Sequence, residues 1–324
     1  MKCLSAVLFI GLAASAAAAQ EVEIREWPVP WEASRPRDPY PDAQGRVWFV
    51  GQVGNYLAWL DPASGEFKRY ELEERTLPHN LIVDGRGVWY AGNANGRIGL
   101  LDPATGKTRT FMMPDPAARD PHTLVLDAKG DLWFTVQNGG FIGHLATKTG
   151  EVRLVKVPQA RARPYGIALD AGGRPWVNLF GTNRIATVDP ATLALEEIEL
   201  PRAEARTRRI AITRDQKVWY VDYEKGFLGR LDPATRKVDE WAAPSGAMSR
   251  PYAMAVDAND RIWFVETGVQ PNRLVGFDPV SQSFFSNTAI PSGGGTVRHM
   301  AFDAAGRTLW FGTDVNTIGR AVIR

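Results

Sequence analysis

The chain has 324 residues, 44% of them hydrophobic, 10% aromatic and 23% charged, a composition that supports a packed core and excludes a disordered chain. Lys and Arg number 38 against 36 Asp and Glu, a formal charge of +2, which argues against a nucleic-acid binder with a basic body. The cations are 29 Arg and only 9 Lys, and Arg is the side chain that grips carboxylate or phosphate in a planar fork.

Residues 1–19 read as a secretory signal. Lys2 gives the positive start, Leu4 to Leu12 the apolar run, and Ala17-Ala18-Ala19 the small residues before cleavage at Gln20. An exported protein, periplasmic or secreted, is therefore expected. No later segment approaches 18 apolar residues, so no membrane span is expected. Cys3 lies inside the signal, which leaves the remaining chain free of thiols and disulfides.

Residues 21–30 read as a single strand with no partner beside it in sequence. Beyond it an aromatic unit recurs at Trp48, Trp89, Trp133, Trp176, Trp219, Trp263 and Trp310, with spacings of 41 to 47 residues, the length of a four-stranded propeller blade. Each unit holds an alternating strand ending at an Asp turn, the Trp strand, and a strand such as Arg97-Ile-Gly-Leu-Leu101. An Asp-Pro turn of the kind at Asp61-Pro62 or Asp232-Pro233 and a closing strand complete it. The last unit stops after its third strand, and residues 21–30 supply the missing fourth. The expected fold is all-β, a seven-bladed β-propeller of four-stranded blades forming one domain over residues 20–324. Its ring is closed by the N-terminal strand completing the last blade. The seven Trp and the Gly of the third strands (Gly99, Gly143, Gly229, Gly319) are assigned to packing.

In a propeller the first strand of each blade begins at the mouth of the ring where the second strand ends. The residues beginning the first strands are Arg37, His79, His122, Tyr165, Arg208, Tyr252 and Arg298, every one a hydrogen-bonding side chain. Two residues earlier stand Arg35, Leu77, Asp120, Arg163, Arg206, Arg250 and Thr296. Past the Trp strands come Gln52, Asn93, Gln137, Asn178, Asp222, Glu266 and Asp314. Guanidinium groups converging on a concavity favour a ligand that carries carboxylate or phosphate, partly offset by Asp120, Asp222, Glu266 and Asp314. Tyr165, Tyr252, Gln137, Glu266 and Asp222 join Arg37, Arg208 and Arg298 as candidate ligand contacts. His79 and His122 occupy one column in adjacent blades, each after a proline, and an imidazole titrating near neutrality is a candidate general base. His144 reads as structural, and His299 follows a mouth position and by strand alternation points away from it. No phosphate-cradling Gly loop, Gly-x-Ser-x-Gly elbow or His-Glu-x-x-His is present.

The grammar of Pro-His or Pro-Tyr, then Asp, then Trp-Phe, then Ile-Gly-Arg resembles the streptogramin lyase family of seven-bladed propellers across nearly the whole chain after the signal. The resemblance implies a Mg2+-assisted carbon–oxygen lyase that opens cyclic depsipeptide antibiotics by elimination, and with it antibiotic resistance. It implies His122 as the base, His79 as the histidine of the preceding blade, and Asp120 as the acid of the acid-Pro-His segment. Where the family has glutamate, this chain has Asp120 and Gln137. The metal ligands stay unassigned. Two other readings stand beside the lyase: a non-catalytic propeller, monomeric and binding a small anionic ligand or a protein partner, and a gluconolactonase-like metal-dependent hydrolase. The blade count and the Arg-rich column oppose the last.

Overall fold

The computed structural model describes residues 22–323; the signal assignment falls outside them. Seven four-stranded antiparallel sheets follow one another around an axis. Blades 1 to 6 cover 36–71, 78–112, 121–156, 164–199, 207–242 and 251–289, each with its strands in sequence order. Blade 7 is made of Met300–Asp303, Thr308–Gly312, Thr317–Val322 and, as its outer strand, Glu23–Pro28. Glu23 pairs with Val322 and Pro28 with Thr317, so the N-terminal strand closes the ring as expected. No helix is present among the described residues, nor therefore one long and apolar enough to cross a membrane.

The core lies between blades. Trp48 packs with Leu81 and Tyr90 of blade 2, and Trp133 with Val177 and Leu179 of blade 4. Each Trp is buried, and several tie their indole N–H to the Asp of the preceding turn: Trp48 to Asp42 and Trp263 to Asp257, both at 2.9 Å. A Cβ on Gly143 would land inside the ring of its cross-strand partner Phe134, which explains the recurring glycine as packing.

The inner strands carry the feature that builds the site. In blades 1 to 6 the pairing of first and second strands slips by one residue just after the mouth, between Arg37 and Tyr40 in blade 1 and between Pro121 and Leu124 in blade 3. A bulge sets two residues against one and breaks strict alternation. Consecutive side chains can then both turn toward the axis.

Deleting residues 22–28 would bare the edge of Thr317–Val322 and unseat Trp27 from Trp310, whose rings are 5.6 Å apart. The truncated protein is expected to melt at lower temperature and to self-associate, read by thermal denaturation and light scattering; unchanged melting would contradict closure by this strand.

Candidate functional site

Five of the seven residues expected at the mouth meet on the axis. The rings of His79 and His122 lie 3.5 Å apart, His122 and Tyr165 4.1 Å, and Tyr165 and Tyr252 share a hydrogen bond between their hydroxyls. Arg37 completes this floor, reaching Gln52 at 3.1 Å. All five are buried, His122 to 1% exposure. Arg208 stands over Tyr223 at 4.0 Å, Phe180 at 4.1 Å and Tyr252 at 4.5 Å, a guanidinium boxed by aromatic faces. Its Nε is buried without a hydrogen-bond partner, and among the described residues no carboxylate pairs with it. Arg298 pairs with Asp314 on the rim.

Beneath this floor lies a second layer that the columns missed. Asp38 takes Arg37 Nε at 3.0 Å, Asn80 Nδ2 at 2.9 Å and Arg209 Nη2 at 3.4 Å. Arg209 also donates to Thr123 Oγ1 at 3.3 Å and to the Arg298 carbonyl at 3.0 Å, while Thr123 Oγ1 lies 2.9 Å from His122 Nδ1. Each of Asp38, Asn80, Thr123 and Arg209 follows a mouth residue, at the position the bulge turns inward. His299 does not point away from the axis either: half-buried, it lines the cavity below this layer with Asn80, Thr123 and Arg209. The signal was present in the sequence, since five residues of that following column are polar where alternation would place core.

The candidate acids go elsewhere. Asp120 accepts the backbone N–H groups of Asn138 and Gly139 at 2.6 and 3.0 Å, and no hydrogen bond or ion pair joins it to either imidazole among the described residues. Asp222 accepts the Arg206 N–H and pairs with Arg202, and Glu266 accepts Ser245. These carboxylates pin blade loops, and burial raises the pKa of all three. Gln137 sits half-buried on the loop leaving the second strand of blade 3. A divalent magnesium ion takes carboxylate and other oxygen ligands; Asp120, Asp222 and Glu266 are already held by blade loops, and the axis is cationic. These three acids and the residues on the axis therefore do not fit that ion. Among the described residues the one grouping of three metal-ligating side chains is Asp127, Asp131 and His144, the first two flanking the turn at the far end of blade 3's first strand.

The axis is electrostatically lopsided, with Arg37, Arg208 and Arg209 against the single carboxylate of Asp38. Burial works against the Asp38 charge, yet Arg37, His299 and Arg209 hold its pKa well below the carboxylate range. Burial first, and then the charges of Arg37 and Arg209, push both His79 and His122 well below the ordinary imidazole value, and His299 is pushed down to about 4 chiefly by burial. All three are neutral at pH 7. Burial opposes ionisation of Tyr252, but Arg208, Arg37 and Arg209 overcome it and lower its pKa, while burial and Tyr252 push Tyr165 up to about 12.

The profile of the virginiamycin B lyase family matches residues 82–188, a span that holds Asp120, His122, Gln137 and Tyr165 but not His79. No curated protein matches the chain in sequence. In three dimensions the chain is similar to a streptogramin B lyase, with 25% identity, a TM-score of 0.83, and coverage of 93% of this chain and 97% of that one. It is also similar to selenomethionine-substituted virginiamycin B lyase from Staphylococcus aureus, at 21% identity and TM-score 0.84 over 94% of this chain and all of the other. A catalytically inactive variant of the Staphylococcus aureus enzyme with quinupristin gives 22% identity and TM-score 0.84 over the same shares.

The lowered imidazole pKa values fix the sign of a pH effect. Below about pH 6.5 the unfolded chain binds protons that native His79, His122 and His299 refuse, so stability is full above that pH and falls as pH drops toward 4. Each histidine contributes up to about 1.4 kcal/mol per pH unit. Denaturant midpoints at pH 7, 6 and 5 are expected to fall steeply, and less so in His299→Gln; a flat profile would contradict the buried neutral imidazoles. The blade grammar, the ring closure and the match over residues 82–188 together show a propeller that resembles the streptogramin lyase family.

Proposed function

We propose that the mouth binds a small molecule or peptide through an anionic group, in an exported and monomeric protein. The observation that carries this reading is the surplus of guanidinium on the axis. Arg208 has no carboxylate partner among the described residues, and Arg37 and Arg209 share one. A buried cation without a counter-charge is costly, and a ligand carboxylate arriving at Arg208 recovers that cost through charge-assisted hydrogen bonds. The aromatic box supports the guanidinium without consuming all its N–H donors, leaving the fork free for a planar anion.

A second reading, elimination at a carbon–oxygen bond of a cyclic depsipeptide or related ester, is favoured by the paired imidazoles and by the family resemblance. In it the proton alpha to a carbonyl passes to His122, the C–H electrons form a C=C bond to the beta carbon, the C–O bond at that carbon breaks, and the ester oxygen leaves as a carboxylate. In this reading Arg208 receives that carboxylate. For Nε2 of His122 to accept the proton, Nδ1–H donates to Thr123 Oγ1, whose other lone pair takes Arg209. His122 is covered by its neighbours, so the substrate reaches it only when Tyr165 or His79 swings aside. Asp120 takes no part, because its carboxylate holds the 138–139 loop. A lactonase is disfavoured because Asp120, Asp222 and Glu266 are held by blade loops.

Calorimetry with a cyclic streptogramin B depsipeptide and with its linear form bearing a free carboxylate separates the readings. The linear form is expected to bind more tightly, and Arg208→Ala to weaken it at least about tenfold, roughly 1.4 kcal/mol. Arg236→Ala, an exposed residue far along blade 5, is expected to leave it within about twofold. Equal affinity for Arg208→Ala and the parent would sink the anion reading. Mass spectrometry of the cyclic compound tests the second: elimination gives a linear product of unchanged mass, hydrolysis one heavier by a water, and His122→Ala abolishes the former.

A further inference from the structure

Below the Asp38 layer, on the side away from the mouth, the inner strands line a half-open cavity of about 300 Å³. Its ceiling is polar, made of Asn80, Thr123, Arg209 and His299, and its walls are apolar, with Ile82, Ile167, Ile210 and Met254. The two halves are unlike in a way that simple packing does not require. The wall residues come from later positions on the same inner strands whose first residues make the mouth, so this chamber and the mouth lie on opposite sides of one layer.

The ceiling has unmet needs. Arg209 is 3% exposed, and its one carboxylate partner, Asp38, is shared with Arg37 and Asn80. Three of its five N–H groups are committed, to Asp38, Thr123 and the Arg298 carbonyl, which leaves donors on both terminal nitrogens. His299 Nδ1 is buried without a partner. A neutral imidazole with Nδ1–H beside a guanidinium offers donors to an anion, and among the described residues no carboxylate lines the chamber. The volume is at the lower end for small-ligand sites, and the apolar walls suit an unbranched hydrocarbon chain.

We propose that this chamber is a second binding site, distinct from the mouth, for a monocarboxylate with a short aliphatic tail. The carboxylate sits against Arg209 and His299, and the tail lies along Ile167, Ile210 and Met254. The occupant is identified by this pairing of a buried cation with an apolar tube, since an inorganic anion would leave the walls dry and an alkane would leave the ceiling unpaired.

Calorimetric titration of the full protein with butanoate, hexanoate and octanoate tests it. Affinity is expected to rise about fourfold for each methylene that enters the chamber, and 1-octanol, which lacks the charge, to bind at least about tenfold more weakly than octanoate. Ala301→Phe, which projects a ring into the chamber, is expected to abolish the chain-length-dependent binding of octanoate while its melting temperature verifies that it folds. Met254→Trp serves the same purpose from another blade. Arg208→Ala, essential to the mouth reading, is expected to leave octanoate affinity within about twofold. No saturable octanoate binding, affinity independent of chain length, or retention of chain-length-dependent binding in both filled variants would overturn the proposal. Loss of binding in Arg208→Ala alone would place the carboxylate in the mouth, overturn the second site and leave the anion reading of the mouth standing.

Discussion

One carboxylate organises the axis of this propeller. Asp38 sits fully buried with Arg37 of its own blade, Asn80 of the next and Arg209 from across the ring converging on it. Three blades are thereby tied across the channel by groups that would each be costly to bury alone. Because the tie holds two guanidinium groups to one carboxylate, it leaves positive charge inside the ring, which adds to burial in setting the behaviour of the titratable neighbours. Imidazoles are kept neutral and Tyr252 is drawn toward phenolate.

The same imbalance gives chemical character to two faces of one layer. Above it, Arg208 and the His79/His122 pair face the mouth. Below it, Arg209 and His299 cap an apolar chamber. A neutral imidazole is the form a general base needs, but the burial and the arginines that keep it neutral also make it a weaker proton acceptor. Binding of an anion at Arg208 would relax that penalty, so ligand capture and basicity at His122 are coupled through the field rather than through contact.

Much of the fold was legible because its physics is periodic. A Trp at each blade interval, glycine opposite an aromatic ring, and an unpartnered strand at Glu23–Pro28 are each dictated by repeated packing. The floor of the mouth was legible for the same reason: Arg37, His79, His122, Tyr165 and Tyr252 share one position in the repeat. What alternation hid was the layer below. A strict two-residue period sends Asp38, Asn80, Thr123, Arg209 and His299 away from the axis, whereas the bulge returns the first four to it, and His299 reaches it from the irregular segment before Met300. The contacts of Asp120, Asp222 and Glu266 were hidden for a different reason. A carboxylate beside a turn satisfies backbone N–H groups before it serves a ligand.

The central claim is that the axis carries surplus positive charge, and the Tyr165–Tyr252 pair reports on it most directly. Spectrophotometric titration of tyrosinate in the native protein is predicted to show one phenol ionising below the ordinary value near about 10, lost in Tyr252→Phe, with Tyr165 held up toward about 12. If every tyrosine titrates at or above the ordinary value and Tyr252→Phe changes nothing below it, the surplus charge is not there and the account of both faces fails with it.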